Sequence, residues 1–474
     1  MNSPDKQILV VDLDETLLRT DLVWEALTEL ARCKPYLLLL VPLVLFRGRA
    51  ALKQWLSRQV RLELHQMPLN ESVRAFVAHA KAQGRTVVLA TAAHRCWVEP
   101  WARELGYFDH IFATEHINLR GRAKLERLKQ EFPAQHFDYI GNSGADVPLW
   151  RAATNAYIAG NPRLYQHRIG KAFAGVFPVE RARFGDWLGL LRIEQWSKNL
   201  LVFVPLVLAH RLGEATALIN TAIAGLLLSI IASALYVLND LLDLPRDRLH
   251  PTKSARPLAR GIIPLRHAWI AVGAGVVIGG GWCAVLLPPA AALLIALYGT
   301  TALAYSLRLK HLAVVDTFVL SALYTLRILI GAAASSTPVS PWLIGFALTF
   351  FTGLALLKRH SETVHLRMNN YRIEDNRPYT DRDEPFLLAT GIATSTMAIV
   401  ILTVYLTSER VRTLYSHPER LWLVLPLLLF WLMRMWRLSV HGQLTSDPLS
   451  FALRDRISLT IAAVLFILVV AVAR

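Results

Sequence analysis

From Trp187 onward the chain is a series of long apolar runs separated by short basic or Pro/Gly loops, and this pattern restricts the fold most. A helix needs about 20 mostly apolar residues to cross a bilayer. Nine spans are predicted, at about 198–210, 216–238, 267–286, 288–306, 312–334, 341–357, 386–407, 420–436 and 455–473. The first is short and is expected to begin nearer Trp187. Loops 240–266, 307–311, 358–385 and 437–454 carry sixteen Lys and Arg, against three in 211–215, 287, 335–340 and 408–419. Such a bias places the first set of loops, and everything before the first span, on the cytoplasmic side.

Residues 1–185 are of another kind, with short apolar runs, frequent charges and alternating strand and helix patterns. The expected organisation is an α/β domain over 1–185, with a linker-like stretch at 161–183, and an all-α membrane domain over 186–474. The polar start, Met1–Gln7, leads into a strand and does not read as a signal peptide. Charged residues make up 18% of the chain, below the roughly 25% of soluble proteins, which argues against a wholly soluble protein. A net charge of +16 suits nucleic acid, anionic lipid or phosphate-bearing substrates, of which no nucleic-acid partner is expected for this membrane chain. Cys33, Cys96 and Cys283 are too dispersed for a disulfide framework or a cysteine zinc site. Leu37–Phe46 is strongly apolar but spans only half a bilayer core as a helix, leaving an interfacial segment or a buried core helix.

Gln7–Val11 reads as a buried parallel strand running into Asp12-Leu13-Asp14-Glu15-Thr16. Positions i and i+2 of an extended chain face the same way, so Asp12 and Asp14 share one site at a strand's carboxyl end, where open α/β sheets bind ligands. Two carboxylates there repel without a cation, and Mg²⁺ is the natural one. A strand over Thr86–Ala90 ends at Thr91, Lys124 follows, and a strand over Phe137–Ile140 ends in Gly141-Asn142-Ser143-Gly144-Ala145-Asp146. A lone DxDxT is as easily a solvated turn, but four motifs in this order resemble the haloacid dehalogenase superfamily of phosphohydrolases. The resemblance implies a Rossmann-like parallel sheet with a cap over about 17–85. It also implies Asp12 as nucleophile, Asp14 as acid/base, Thr91 and Lys124 on the phosphoryl oxygens, and Mg²⁺ held by Asp12, Asp14 and Asp146. Asn142 stands where that family often has Asp, so a retained fold with lost turnover is a competing reading.

The second span ends in Asn239-Asp240-Leu241-Leu242-Asp243-Leu244-Pro245-Arg246-Asp247. In a helix Asn239, Asp243 and Asp247 stack on one face with Asp240 beside them, although Pro245 disturbs the last turn. Acids at a membrane surface are costly unless they hold a cation. Mg²⁺ bridging them to a diphosphate fits, with Arg246, Lys253 and Arg256 supplying phosphate contacts. A positive-inside loop explains the arginines alone, but not the aspartates.

NDxxDxxxD at the end of the second of nine spans resembles the UbiA superfamily of intramembrane transferases. The second acidic motif of its quinone-pathway members is absent, and Lys358-Arg359-His360-Ser361-Glu362 stands there instead. With Gln195-Trp196-Ser197-Lys198-Asn199, Tyr305-Ser306 and Lys310, this is similar to the branch that joins phosphoribosyl diphosphate to decaprenyl phosphate. The loop ending Arg377–Pro385 departs from that type and leaves another acceptor or donor open. The branch implies Mg²⁺ on Asn239, Asp240, Asp243 and Asp247, with Asp240 and Asp243 catalytic. It further implies substrate contacts from Gln195, Lys198, Asn199, Tyr305, Lys310, Lys358 and Arg359. The lysines and Arg359 are also explained by interfacial anchoring. Asp316 and Arg327 fall on one helix face, and a structural ion pair, snorkelling of Arg327 to the far side or substrate contact would each explain them.

The expected activity is therefore transfer of 5-phosphoribosyl from phosphoribosyl diphosphate to a polyprenyl phosphate, in a bacterial inner membrane with both active sites cytoplasmic. The fused phosphatase would then remove the 5-phosphate, with one Mg²⁺ in each domain. The alternative is a prenyltransferase using a prenyl diphosphate, with a regulatory or inactive phosphatase-like domain. A transporter carrying a degenerate soluble module leaves the clustered aspartates unexplained. The oligomeric state is not readable from the sequence.

Overall fold

The computed structural model describes residues 8–133, 136–368, 378–409, 411, 415–444 and 447–471. The polar start over residues 1–7 lies outside them, as does Arg377. Two compact units divide the chain. One comprises Met1–Leu190 with Val237–Ala271, the other Leu191–Tyr236 with Val272–Arg474.

In the first unit β1 (Ile8–Val11), β2 (Val87–His94), β3 (His110–Thr114), β4 (Phe137–Gly141), β5 (Ala156–Ala159) and β6 (Gly175–Phe177) form a six-stranded sheet in the order β3-β2-β1-β4-β5-β6. Every pairing is parallel, and Val10 of β1 lies opposite Val88 on one side and Tyr139 on the other. All four β1 side chains are buried, as a central strand covered on both faces requires. The order reverses between β1 and β4, and such a switch point opens a crevice at the strands' carboxyl ends. Asp12 and the Asn142–Asp146 turn both emerge there.

Three local expectations change. β2 continues through Thr91 to His94, so Thr91 lies inside the strand and not at its end. The linker-like stretch 161–183 contributes β6, a three-residue edge strand too short to stand out among polar neighbours. Leu37–Phe46 is neither of the two expected forms alone. In Pro35–Phe46 one side packs on the domain core through Leu37, Leu38, Val41 and Val44, while Leu39 and Phe46 stay exposed. Helices Leu22–Cys33 and Arg49–Gln59 flank it, whereas helix Glu71–Ala82 packs on the sheet, with Phe76 against Tyr157 and Phe177.

Among the described residues seven helices are long and apolar enough to cross a membrane. They are Ala215–Leu242, Leu265–Leu286, Pro289–Leu307, Val315–Ala334, Pro341–Met368, Asp381–Leu406 and Pro418–Val440. The two other expected spans are shorter. The first is a tight 3₁₀ segment, Ile193–Phe203, followed by helix Val204–Leu208 with Pro205 in its first turn. The last is Arg456–Ala471, 16 residues. Helix Pro341–Met368 runs beyond the expected end at 357, so Lys358 and Arg359 are helical. In the second unit Gly331 lets helix Val315–Ala334 approach the 3₁₀ segment. A Cβ there would lie 1.7 Å from the Val202 carbonyl oxygen.

Candidate active sites

At the carboxyl end of β1 the Lys124 ammonium donates to Asp12 Oδ1 at 2.8 Å and to the Tyr139 hydroxyl at 3.1 Å. Tyr139 in turn donates to Asp146 Oδ1 at 2.7 Å, and Lys124 Nζ lies 3.9 Å from the same carboxylate. Asp146 Oδ2 receives the backbone N–H groups of Asn142 and Ser143, at 3.2 and 2.9 Å. That turn depends on Gly141, because a Cβ there would lie 2.7 Å from the Tyr139 ring and 2.8 Å from the Asp146 carboxyl carbon. Burial raises the Asp12 carboxyl to about 6, with Lys124 opposing the rise and Asp146 adding to it.

Asp14 does not join this group. Its Oδ1 accepts the Leu22 N–H at 3.0 Å, and burial, reinforced by Asp21 and Asp12, pushes its carboxyl well up. Thr91 is fully buried and accepts the Ala93 N–H at 3.0 Å. The Asn142 amide reaches Glu15 at 3.4 Å, and Glu15 pairs with Arg266 at 3.2 Å. Sequence reasoning missed Lys53, which donates to the Ala92 carbonyl at 2.5 Å and to Asn118 Oδ1 at 2.8 Å. Burial lowers the pKa of its ammonium. Its one sequence signal is a lysine on the inward face of an amphipathic helix, since neighbouring Leu52 and Leu56 are also buried.

Two of the NDxxDxxxD residues, Asp240 and Asp247, are gathered around Arg256. Its guanidinium lies 3.1 Å from Asp240 Oδ1 and 2.6 Å from Asp247 Oδ2. Asn239 donates to Asp243 Oδ2 at 3.0 Å. Asp243 ends the long helix and begins helix Leu244–Leu249, which carries Pro245 in its first turn, so the break falls between spans. The Asp247 N–H still bonds the Asp243 carbonyl at 2.9 Å, and the stacked register survives. Burial raises the Asp247 carboxyl although Arg256 and Lys253 oppose it. Arg246 is exposed.

This loop packs on the phosphatase-like domain within the same unit. Arg248 forms a buried pair with Glu25, 2.6 Å at its shortest, and Arg260 binds Glu180 at 2.8 Å. Gly261 abuts Arg19 and Pro68, and Arg266 reaches Glu15 three residues after Asp12.

In the second unit Lys198 and Lys358 converge on Asp447, at 3.2 and 3.7 Å. Asp447 also caps helix Pro448–Ala452 by accepting the Leu449 and Ser450 N–H groups. Its signal, an Asp-Pro pair opening a helix, is visible in the sequence but was missed. Arg359 binds Asp316 at 2.6 Å, Glu362 at 2.8 Å and the Tyr305 hydroxyl at 2.9 Å. Asp316 therefore pairs with Arg359 and not with Arg327. Arg327 instead donates to Asn199 Oδ1, the Leu323 carbonyl and the Tyr298 hydroxyl. Gln195 donates to Glu194 at 3.4 Å, and Lys310 is half-buried on the turn Leu309–His311.

Among the described residues no three His, Cys, Asp or Glu side chains form a ready-made metal cluster. The donor sets nevertheless suit a hard cation. Both gather buried carboxylates around one positive side chain, Lys124 or Arg256, and oxygen donors of this kind suit Mg²⁺.

The model of the UbiA prenyltransferase family matches residues 200–472. The chain belongs to that family. It is an integral membrane protein, and residues 9–151 match the haloacid dehalogenase-like hydrolase model, so this UbiA family member carries an N-terminal domain of that second type. It is 37% identical over 463 residues to the uncharacterized protein y4nM of Sinorhizobium fredii, covering 96% of this chain and 89% of that one. It is also 37% identical over 163 residues to the decaprenyl-phosphate phosphoribosyltransferase of Mycobacterium tuberculosis. That match covers 32% of this chain and about half, 52%, of the relative. Among solved structures, a UbiA homolog from Archaeoglobus fulgidus bound to DMAPP and Mg²⁺ is 18% identical with a TM-score of 0.46. It covers 60% of this chain and 98% of that chain.

Proposed function

We propose that the protein transfers 5-phosphoribosyl from phosphoribosyl diphosphate to a polyprenyl phosphate, and that its N-terminal domain then removes the 5-phosphate of the lipid product. The observation that carries the coupling is the packing of the aspartate loop on the phosphatase-like domain, where Arg248 meets Glu25 and Arg266 meets Glu15. A phosphatase so placed meets the transfer product at roughly millimolar effective concentration. The donor is supported by the relative's name and by the resemblance to that branch of the stretches around Lys198, Asp247, Lys310 and Arg359.

When bound, Mg²⁺ neutralises the diphosphate that leaves the anomeric carbon and the phosphoryl group at Asp12. Asn239, Asp240, Asp243 and Asp247 would hold it in the transferase, and Asp12 and Asp146 in the phosphatase, where Asp14 stands apart on the Leu22 N–H. Arg256, which lies on two of these aspartates, would supply a positive charge for the diphosphate. Their carboxylates also stabilise the oxocarbenium-like transition state. The lipid phosphate attacks as an anion and needs no strong base, and Lys198, Lys358 and Arg359 bind it or the donor's 5-phosphate. In the second step the Asp12 carboxylate attacks phosphorus, the bond to the sugar oxygen breaks, and protonated Asp14 gives that oxygen its proton. Water then cleaves the acyl phosphate to inorganic phosphate and free Asp12. Burial, which raises Asp14, suits it to carry that proton.

The proposed arrangement has nine spans, a soluble domain over 1–185, a membrane domain over 186–474, and both sites on the cytoplasmic face of a bacterial inner membrane. The test supplies polyprenyl phosphate with either labelled phosphoribosyl diphosphate or a labelled prenyl diphosphate. Label entering lipid from the first, and its loss in Asp243→Asn, supports the reading. Reaction of the prenyl diphosphate alone overturns it in favour of prenyl transfer.

A further inference from the structure

In Pro35–Phe46 the side turned away from the domain core has no cover: Tyr36, Leu39, Leu43 and Phe46 are 67%, 81%, 62% and 87% exposed. A contiguous patch of this kind marks a surface that something covers. Charge indicates what that is. Between Leu30 and Leu62 the chain holds seven Lys and Arg and no Asp or Glu, and Arg47, Arg49, Arg58 and Arg61 are exposed. An apolar stretch flanked in the sequence by cations is the composition of a segment lying in an anionic membrane surface.

Position indicates the same occupant. Helix Leu22–Cys33 leads directly into the segment and is held at two points, Glu25 by Arg248 and the Thr28 hydroxyl by the Trp269 indole at 3.0 Å. Arg248 follows span Ala215–Leu242 by six residues, and Trp269 is the fifth residue of span Leu265–Leu286. Both therefore lie where spans leave the bilayer. The helix has 12 residues and is about 18 Å long, so Pro35 begins within one helix length of the bilayer surface.

The geometry points to Pro35–Phe46 as a membrane-docking element of the phosphatase-like domain, seated in the headgroup and outer acyl region of an anionic leaflet. Tyr36 lies at its edge, and Leu39, Leu43 and Phe46 point into the acyl chains. Resting on the phosphatase reading above, the substrate class follows as phosphate monoesters carried on lipids, because a cap seated in the leaflet meets them at the surface.

The full-length protein in nanodiscs containing anionic lipid gives the test. A nitroxide is placed at Leu43→Cys, with the exposed Cys33 and Cys96 changed to Ser, and a control label at Gln130→Cys on the exposed face of helix Arg122–Glu131. Collision with dissolved oxygen, relative to a water-soluble nickel chelate, is expected to be several-fold higher at 43 than at 130. Equal ratios overturn the docking. Protection from both reagents with spin–spin broadening also overturns it, assigning the patch to a second copy of the chain. Leu39→Glu with Phe46→Glu, which touches no packed side chain, is expected to cut hydrolysis of a lipid phosphate monoester several-fold. Hydrolysis of p-nitrophenyl phosphate is expected to stay unchanged, and equal loss on both overturns the substrate class. A chain that hydrolyses neither substrate overturns the phosphatase reading, whereas the label at 43 decides docking independently of activity.

Discussion

Lys124 satisfies two buried carboxylates with one ammonium, so its removal separates catalysis from simple packing. Lys124→Met leaves Asp12 and Asp146 facing each other without a cation. It is expected to cost about 3 kcal/mol of metal-free stability, since breaking a buried ion pair leaves an uncompensated charge. It should also abolish phosphomonoester hydrolysis, and denaturant unfolding with a hydrolysis assay checks both. Asp14→Asn is expected to act in the opposite direction on stability. The native carboxyl is raised, so between about pH 4 and its folded pKa the native state binds more protons than the unfolded chain. Stability is thus greatest below the unfolded pKa and falls as pH rises through the folded one. With chelator present, Asp14→Asn should melt a few degrees higher than wild type at pH 7 and lose that pH dependence, while hydrolysing nothing. A melting temperature lower than wild type would contradict the assigned burial. The positions of Asp12 and Asp146 at strand ends were legible in their motifs, whereas Asp14, expected beside Asp12 from the i, i+2 spacing, accepts the Leu22 N–H instead. Lys53 and Tyr139 were not legible, because only packing brings Lys53 to Ala92 and Asn118 and Tyr139 to Lys124 and Asp146, whereas the Asp-Pro signal at Asp447 was present and missed.

Elements reveal a different limit. Six of the seven long apolar helices lie within a few residues of their expected ends, because length and hydropathy are properties of the chain alone. Lys358 and Arg359 were expected in a loop, but the seventh, Pro341–Met368, continues through them, since Arg359 is neutralised by Asp316 and Glu362. The first expected span became a 3₁₀ segment because Lys198 and Asn199 are buried and hold Asp447 and Arg327. β6 escaped notice for want of length. Gly331 gives an element-scale test: Gly331→Ala must push helix Val315–Ala334 away from the Val202 backbone. Transfer activity is expected to fall at least tenfold, since a displacement of about 1 Å far from the chemistry can cost 10²-fold. Hydrolysis of p-nitrophenyl phosphate should be retained. The buried Arg248–Glu25 pair gives another, where Glu25→Ala alone is expected to destabilise by about 3 kcal/mol and Glu25→Leu with Arg248→Met to recover most of it. Equal loss in the single and double variants would show that the pair is not the linking contact.

For the whole molecule, composition and motif order indicated a soluble phosphatase-like part and a membrane part. They could not indicate that Val237–Ala271 groups with the first, where Arg248, Arg260 and Arg266 meet acids 80 or more residues away. The loop carrying NDxxDxxxD thus belongs to the same compact unit as Asp12, and in the proposed function the two sites act in sequence on one lipid. The most direct measurement is product analysis with labelled phosphoribosyl diphosphate, a polyprenyl phosphate and Mg²⁺, comparing wild type with Asp12→Asn. Wild type is expected to yield lipid-linked ribose and Asp12→Asn to stop at lipid-linked ribose 5-phosphate. An unlabelled lipid fraction, or the same product from both proteins, would contradict that function.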